Sequence, residues 1–156
     1  MAGGDTIHRT ARRLEEAPGG RTIDLAQAAS ARWPVLHRAR CAGAARLRSL
    51  EPSREIGDAL LDQRVIAGIG NAIRAEALFR AGVSPWRRIG DLRRVEAEAI
   101  VAHARDVMAT ALASGRRSRS IYSRTGGPCP ACGTGIRSRR QGDGNRVAYW
   151  CPRCQA

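Results

Sequence analysis

The chain contains no lysine: all 27 of its basic residues are arginines, set against 14 Asp and Glu, for a formal net charge of +13 over 156 residues. Codon bias toward arginine accounts for part of this, but the physics is the same whatever its origin. A basic surface made only of planar guanidinium forks suits phosphate, and nucleic acid is the partner class it favours. Aromatic residues are scarce, with one Phe, two Tyr and three Trp. Any core is therefore built mostly from Ala, Leu, Ile and Val, and a hydrophobic content of 43% is enough for one or two small domains. No long apolar run and no basic amphipathic anchor is present, which excludes a membrane-spanning helix and makes an anionic membrane the weaker alternative. Residues 1–20 carry charges throughout and no apolar stretch. No signal peptide is expected, the protein is placed in the cytoplasm, and its thiols should stay reduced.

Cysteine is what the chain does have. Four of its five cysteines form two C-x2-C pairs, Cys129 with Cys132 and Cys151 with Cys154, with 18 residues between them. Two such pairs complete a tetrahedral site for one Zn2+, and Gly133 and Pro152 suit the tight turns this needs. A closed set of four thiolates makes the zinc structural. A disulfide pair or a redox motif is the minor alternative. Cys41 is left over; a lone cysteine is most often a small buried hydrophobe.

Between the pairs, residues 142–145 (GDGN) form a dense turn signal and "VAYW" is a β-prone return strand. The spacing predicts a metal-stapled β-hairpin. Arg146 falls at the turn-to-strand junction, on the rigid end of the clipped loop. Arg137, Arg139 and Arg140 on the other arm read as a solvated face.

Upstream, Ser53 is a candidate N-cap, followed by Ile56, Ala59, Leu60 and Ala67 at helical spacing. The "AGIGN" break then leads into a second helix, with Asn71 as its cap, carrying Ile73, Ala77, Leu78 and Ala81 until Gly82 and Pro85 stop it. A glycine-rich turn into a helix leaves backbone N–H groups free for an anion, although capping without a ligand explains Gly68, Gly70 and Asn71 as well. A third helix over about residues 92–113, apolar at Leu92, Val95, Ala99, Ile100, Val107, Met108, Ala111 and Leu112, should pack across the first two.

Three stretches, "EIGDALLDQRVIAGIGNAIRAEALFRAGVSPW", "IYSRTGGPCPACGTGI" and "AYWCPRCQ", resemble the formamidopyrimidine-DNA glycosylase/endonuclease VIII family over residues 51–156. The resemblance implies a mainly α fold with a small β zinc finger: a helix–two-turns–helix domain over 51–115, then a zinc-stapled hairpin over 116–156. It places Asn71 on the family's phosphate-binding Asn, with Gly68 and Gly70 in the same turn, and Arg146 on the finger-tip Arg that meets phosphates at the lesion. Cys129, Cys132, Cys151 and Cys154 fall on the zinc ligands. Ile73 stands where members usually carry Tyr. The implied partner is damaged or abasic duplex DNA, bound by a monomer in the cytoplasm with the nucleoid.

The opening "MAGGDTIHRTARRLEEAPGGRTI" resembles the start of the endonuclease VIII branch, and residues 1–27 read as a remnant of that segment. The family's reacting residues, an N-terminal Pro and the Glu after it, correspond to Ala2 and Gly3, and the family's hairpin lysine has no counterpart. Residues 28–50 read as a linker or irregular segment where the family has a β-sandwich. The resemblance thus implies a DNA-lesion-binding protein with impaired catalysis. Three alternatives stand beside it: residual strand cleavage through an Ala2 amine, a zinc-ribbon module for RNA or protein, and a decayed gene product.

Overall fold

The computed structural model describes residues 42–115 and 119–155. The expected N-terminal remnant with Ala2 and Gly3, and Cys41, lie outside the described residues. Within the expected linker, residues 42–48 are helical (α1) and bury Ala44 and Leu47. Helix α2 spans Ile56–Ala59, α3 Asn71–Arg80 and α4 Arg94–Ser114, with a 3-10 turn at Ile89–Asp91. Strands β1 (Arg137–Gln141) and β2 (Arg146–Trp150) close the order. The fold is mainly helical with a small β finger, as expected.

Helix α2 is shorter than its apolar spacing predicts. It stops at Ala59 and is capped from Glu55, while the Ser53 hydroxyl donates to Glu51 instead. Asp62 accounts for the early stop. Its carboxylate accepts the Arg64 N–H and side chain and a further bond from Arg54, an alternative to helix that the backbone takes. Gln63 then bridges the second turn, accepting from the Gly68 N–H and donating to the Ile69 carbonyl. Residues 60–70 are thus two successive turns.

Gly70, not Asn71, is the cap of α3; Asn71 is its first helical residue. The far end closes with paired bonds, Gly82 N–H to Phe79 O at 3.1 Å and Val83 N–H to Leu78 O at 3.0 Å. Gly82 takes φ 67° there, a left-handed value that glycine adopts without strain. Helix α4 starts with Glu96 accepting from the Arg93 N–H at 2.8 Å and packs along α3. It buries Ala97, Ile100, Val101, Ala104 and Val107, at spacings of three and four residues. Val95 and Leu112, expected on that face, are instead 62% and 61% exposed.

One core gathers Leu47, Ile56, Leu60, Ile69, Leu78, Val83, Ile89, Leu92 and the buried stripe of α4. A smaller one joins Ala75 of α3 to Ile121, Cys129, Ile136 and Cys151, flanked by Phe79, Tyr122 and Tyr149. The strands pair antiparallel in the register Arg137↔Trp150 to Gln141↔Arg146, around the expected 142–145 turn.

At Gly57 the helical module packs tightly against the Pro85 turn and the hairpin's Gln141. The Gly57 N–H donates to the Pro85 carbonyl at 3.0 Å. An added Cβ would lie 2.8 Å from that oxygen and 2.9 Å from Pro85 Cβ, and would strike the Gln141 side-chain oxygen. Two of these neighbours cannot rotate away. Gly57→Ala is expected to destabilise the protein by about 1–3 kcal/mol, the range for overpacking; an unchanged urea midpoint would refute the close fit.

Candidate metal centre and nucleic-acid interface

The four cysteines that the spacing singled out converge. Their Sγ atoms all lie within 4.8 Å of one another, with Cys132–Cys151 at 3.5 Å and Cys129–Cys154 at 3.9 Å. A tetrahedral ion with four thiolate bonds of roughly 2.3 Å places its sulfurs about 3.8 Å apart, so the donor set fits a metal ion. The first turn is held by Cys129 N–H to Thr134 O and Gly133 N–H to Cys129 O, both 2.8 Å. In the thiol state the sulfurs ionise unequally. Thr134, through its hydroxyl and its backbone N–H, holds Cys132 down at about 6, while hydrogen bonding to Cys132 and burial push Cys154 up to about 12. A metal must displace the remaining protons, so its binding weakens in acid.

The hairpin is fastened to the helices by polar side chains that composition does not advertise. Four polar or charged residues are buried among the described residues, Arg74, Glu76, Gln141 and Gln155, and all four span this joint. Arg74 donates to the carbonyls of Val147 at 2.9 Å and Gly57 at 3.1 Å, and to Gln141 Oε1 at 3.3 Å. Gln141 Nε2 donates to Glu55 and to the Pro85 carbonyl, both at 2.8 Å. Gln155 accepts from the Cys151 N–H and donates to the Val83 carbonyl, both at 2.9 Å, tying a cysteine to the end of α3. Glu76 accepts from the backbone N–H groups of Ser120, Ile121 and Tyr122, each at 3.0 Å.

Asn71 belongs to the same joint. Its Nδ2 donates to the Val147 carbonyl at 3.0 Å, the oxygen that Arg74 also holds, and its buried Oδ1 has no partner among the described residues. Arg146, exposed, is the residue before Val147 and lies close enough to Arg74 for the two charges to repel. Burial first, and this neighbouring cation in addition, lower the Arg74 pKa to about 10. Asn71 thus holds the backbone of the residue that follows Arg146. The Gly68 N–H is taken by Gln63, whereas the space beside exposed Gly70 is open. The signal for the anchors was present in "NAIRAEALFR": Arg74 and Glu76 interrupt the small apolar face of α3.

One further contact involves the other arm. The Arg139 guanidinium carbon sits 3.8 Å from the centre of the Trp86 ring, which meets Trp150 edge-on at 5.4 Å.

Helices joined through two turns, followed by a four-cysteine clip on an arginine-tipped hairpin, define a helix–two-turns–helix protein with a finger of the zinc-finger type. The family model for the formamidopyrimidine-DNA glycosylase H2TH domain matches residues 34–123. The chain belongs to the formamidopyrimidine-DNA glycosylase/endonuclease VIII family. It is 40% identical over 116 residues to a probable endonuclease 8 2 of Streptomyces coelicolor, an alignment covering 68% of this chain and 42% of that protein. It is 39% identical over 115 residues to a DNA-(apurinic or apyrimidinic site) lyase Nei2 of Mycolicibacterium smegmatis, covering 67% and 44%. The MutM (Fpg) protein of Thermus thermophilus superposes with a TM-score of 0.65 at 32% identity, covering 74% of this chain and 49% of that one. The chain spans less than half the length of each of these.

Glu76 gives the joint a pH dependence. Burial alone would raise its pKa, but three backbone donors outweigh burial and hold it below the usual carboxylate value. A carboxylate depressed in the folded state stabilises above its unfolded pKa, and this is lost as pH falls through the folded one. Glu76→Gln is expected to lower stability by about 1–3 kcal/mol at neutral pH. Urea titrations should show the gap between variant and parent closing in acid; a gap independent of pH would refute the assignment.

Proposed function

We propose that the protein binds the sugar–phosphate backbone of damaged or abasic duplex DNA through Asn71 and Arg146, as a monomer in the cytoplasm with the nucleoid, and that base excision is impaired. The observation that carries this reading is the shared Val147 carbonyl. Two buried-side donors hold it, and the residue before it is an exposed arginine at the end of a clipped hairpin, so Arg146 is presented at little entropic cost. The open side of Gly70 and the free N–H groups at the start of α3 supply the second half of a phosphate site. Relatives in the family include a named abasic-site lyase, and the Fpg of Lactococcus lactis, alike in fold at TM-score 0.67 and 23% identity over 75% of this chain and 47% of that one, was solved with abasic-site DNA. Impaired excision fits a chain without a lysine, with Ala2 and Gly3 at the positions the resemblance makes reactive.

The ion is read as one structural Zn2+ held by Cys129, Cys132, Cys151 and Cys154. Four thiolates leave no open position, so its chemistry is to close the finger and neutralise the sulfurs. The purified protein should carry one equivalent of zinc. Cys151→Ser or a strong chelator should remove it together with the ordered finger; a Cys151→Ser protein retaining stoichiometric zinc and full DNA affinity would sink the assignment.

DNA affinity should fall steeply with salt, each neutralised phosphate adding roughly 0.9 to the log–log slope. Arg146→Ala should cost about 1–3 kcal/mol of binding, as for loss of a charge-assisted hydrogen bond. Arg48→Ala, an exposed arginine on α1, should change it little. Equal losses would mean diffuse electrostatics, and multiple-turnover release of an oxidised pyrimidine would overturn the catalytic part of the reading.

A further inference from the structure

We propose a second phosphate contact on the finger: Arg139, seated over the Trp86 ring, binds a backbone phosphodiester of the same DNA. This rests on the DNA-binding reading above and extends it to a residue outside that reading. Arg139 was expected to be one of several solvated arginines, and the structure separates it from the others. Its guanidinium carbon lies 3.8 Å from the Trp86 ring centre, and Trp86 is held from its edge by Trp150 at 5.4 Å and 80°. The ring covers one side of the guanidinium, and the residue is otherwise exposed. Its N–H groups make no hydrogen bond and no ion pair within the described residues. Five donors in a fixed fork are thus exposed, oriented and unused, on a strand that the metal clip and the Gln141 anchors hold still.

The register puts this fork beside the finger tip. Arg139 pairs with Ala148 and Gln141 with Arg146, so Arg139 and Arg146 point to the same face of the hairpin as diagonal neighbours. Such neighbours stand about 7–8 Å apart, and long side chains reach across that gap. The ligand that fits is a diester phosphate, because a planar fork takes two phosphate oxygens at once. Trp86 acts through Arg139: it pre-pays the ordering of a long, flexible side chain and so is a positioning residue. Arg137, on the same face but opposite Trp150, has no aromatic ring beneath it among the described residues and serves as the comparison.

The test measures binding of the full zinc-loaded chain to a short duplex carrying one abasic-site analogue, over a range of salt. Arg139→Ala should weaken binding about tenfold, the factor that 1.4 kcal/mol represents, and lower the salt slope by about 0.9. Arg139→Lys, which keeps the charge and loses the fork, should keep the slope and still bind several-fold more weakly. Trp86→Leu should behave like Arg139→Lys, and combining it with Arg139→Ala should add nothing further. Arg137→Ala should cost less than Arg139→Ala. Metal content and melting temperature, checked on every variant, separate a lost contact from a lost fold. Unchanged affinity in Arg139→Ala, with Arg146→Ala weakened, overturns this contact and leaves the DNA-binding reading standing. Full rescue by lysine overturns the fork, and unchanged affinity in both alanine variants overturns the DNA reading itself.

Discussion

The carbonyl oxygen of Val147 is the point on which the arrangement turns. It accepts from Asn71 and from Arg74, both on the first turn of α3, and it belongs to the residue that follows Arg146. A β-hairpin of two five-residue strands is marginal in water by itself. This one has a fixed direction because the helix reaches into it at that oxygen. Burying a guanidinium is expensive, and here the charge of Asp58 offsets only part of that cost. Arg74 is nonetheless 1% exposed, and three oxygens from three separate segments meet it. Removing any of them leaves a buried donor short of an acceptor, which favours one register of the joint.

The metal clip and the polar joint depend on one another. The second core has five buried residues, two of them metal-site cysteines, which is too little apolar surface to order the finger unaided. Cross-linking the finger by an ion supplies the missing stability, and Gln155 carries that order to α3 by bridging the Cys151 N–H and the Val83 carbonyl. Scarce aromatics are concentrated here as well. All five aromatic residues within the described chain, Phe79, Trp86, Tyr122, Tyr149 and Trp150, lie in or beside the finger's contact with the helices. The first core, assembled from branched aliphatics and alanine, does without them.

What the sequence disclosed follows from how local each signal is. The cysteine pairs and the GDGN turn are local patterns with few physical solutions, and the sulfurs and the hairpin turn lie where they predicted. The extent of helix α4 was legible, but its buried face only in part: Ile100 and Val107 were expected on it, whereas Ala97, Val101 and Ala104 were not and Val95 and Leu112 face solvent. The α2 helix was over-read because apolar spacing continues through Leu60 and Ala67 while the competing signal, an Asp62 side chain bonding the backbone, has no period. Asn71 was assigned a local cap because a distant partner such as the Val147 carbonyl is invisible in a linear pattern. The joint's other anchors, Gln141 and Gln155, are ordinary surface residue types that only tertiary packing buries.

Charge placement completes the division of labour between the two parts. In the helical module five arginines are neutralised nearby: Arg54 by Asp58 and Asp62, Arg64 by Asp62, Arg87 and Arg93 by Glu96, and Arg94 by Glu98, while Arg46, Arg48, Arg80 and Arg88 stay exposed without a carboxylate among the described residues. On the finger, Arg137, Arg139, Arg146 and Arg153 are matched by no carboxylate of the described residues. A net charge of +13 would, spread evenly, attract polyanions to every face alike. With five helical arginines paired and those of the hairpin unpaired, the same composition leaves a larger share of its field on the hairpin than an even spread would. Rigidity and unneutralised charge at one place are what turn general attraction into a positioned contact, because an arginine already ordered by its surroundings loses little freedom when an anion arrives.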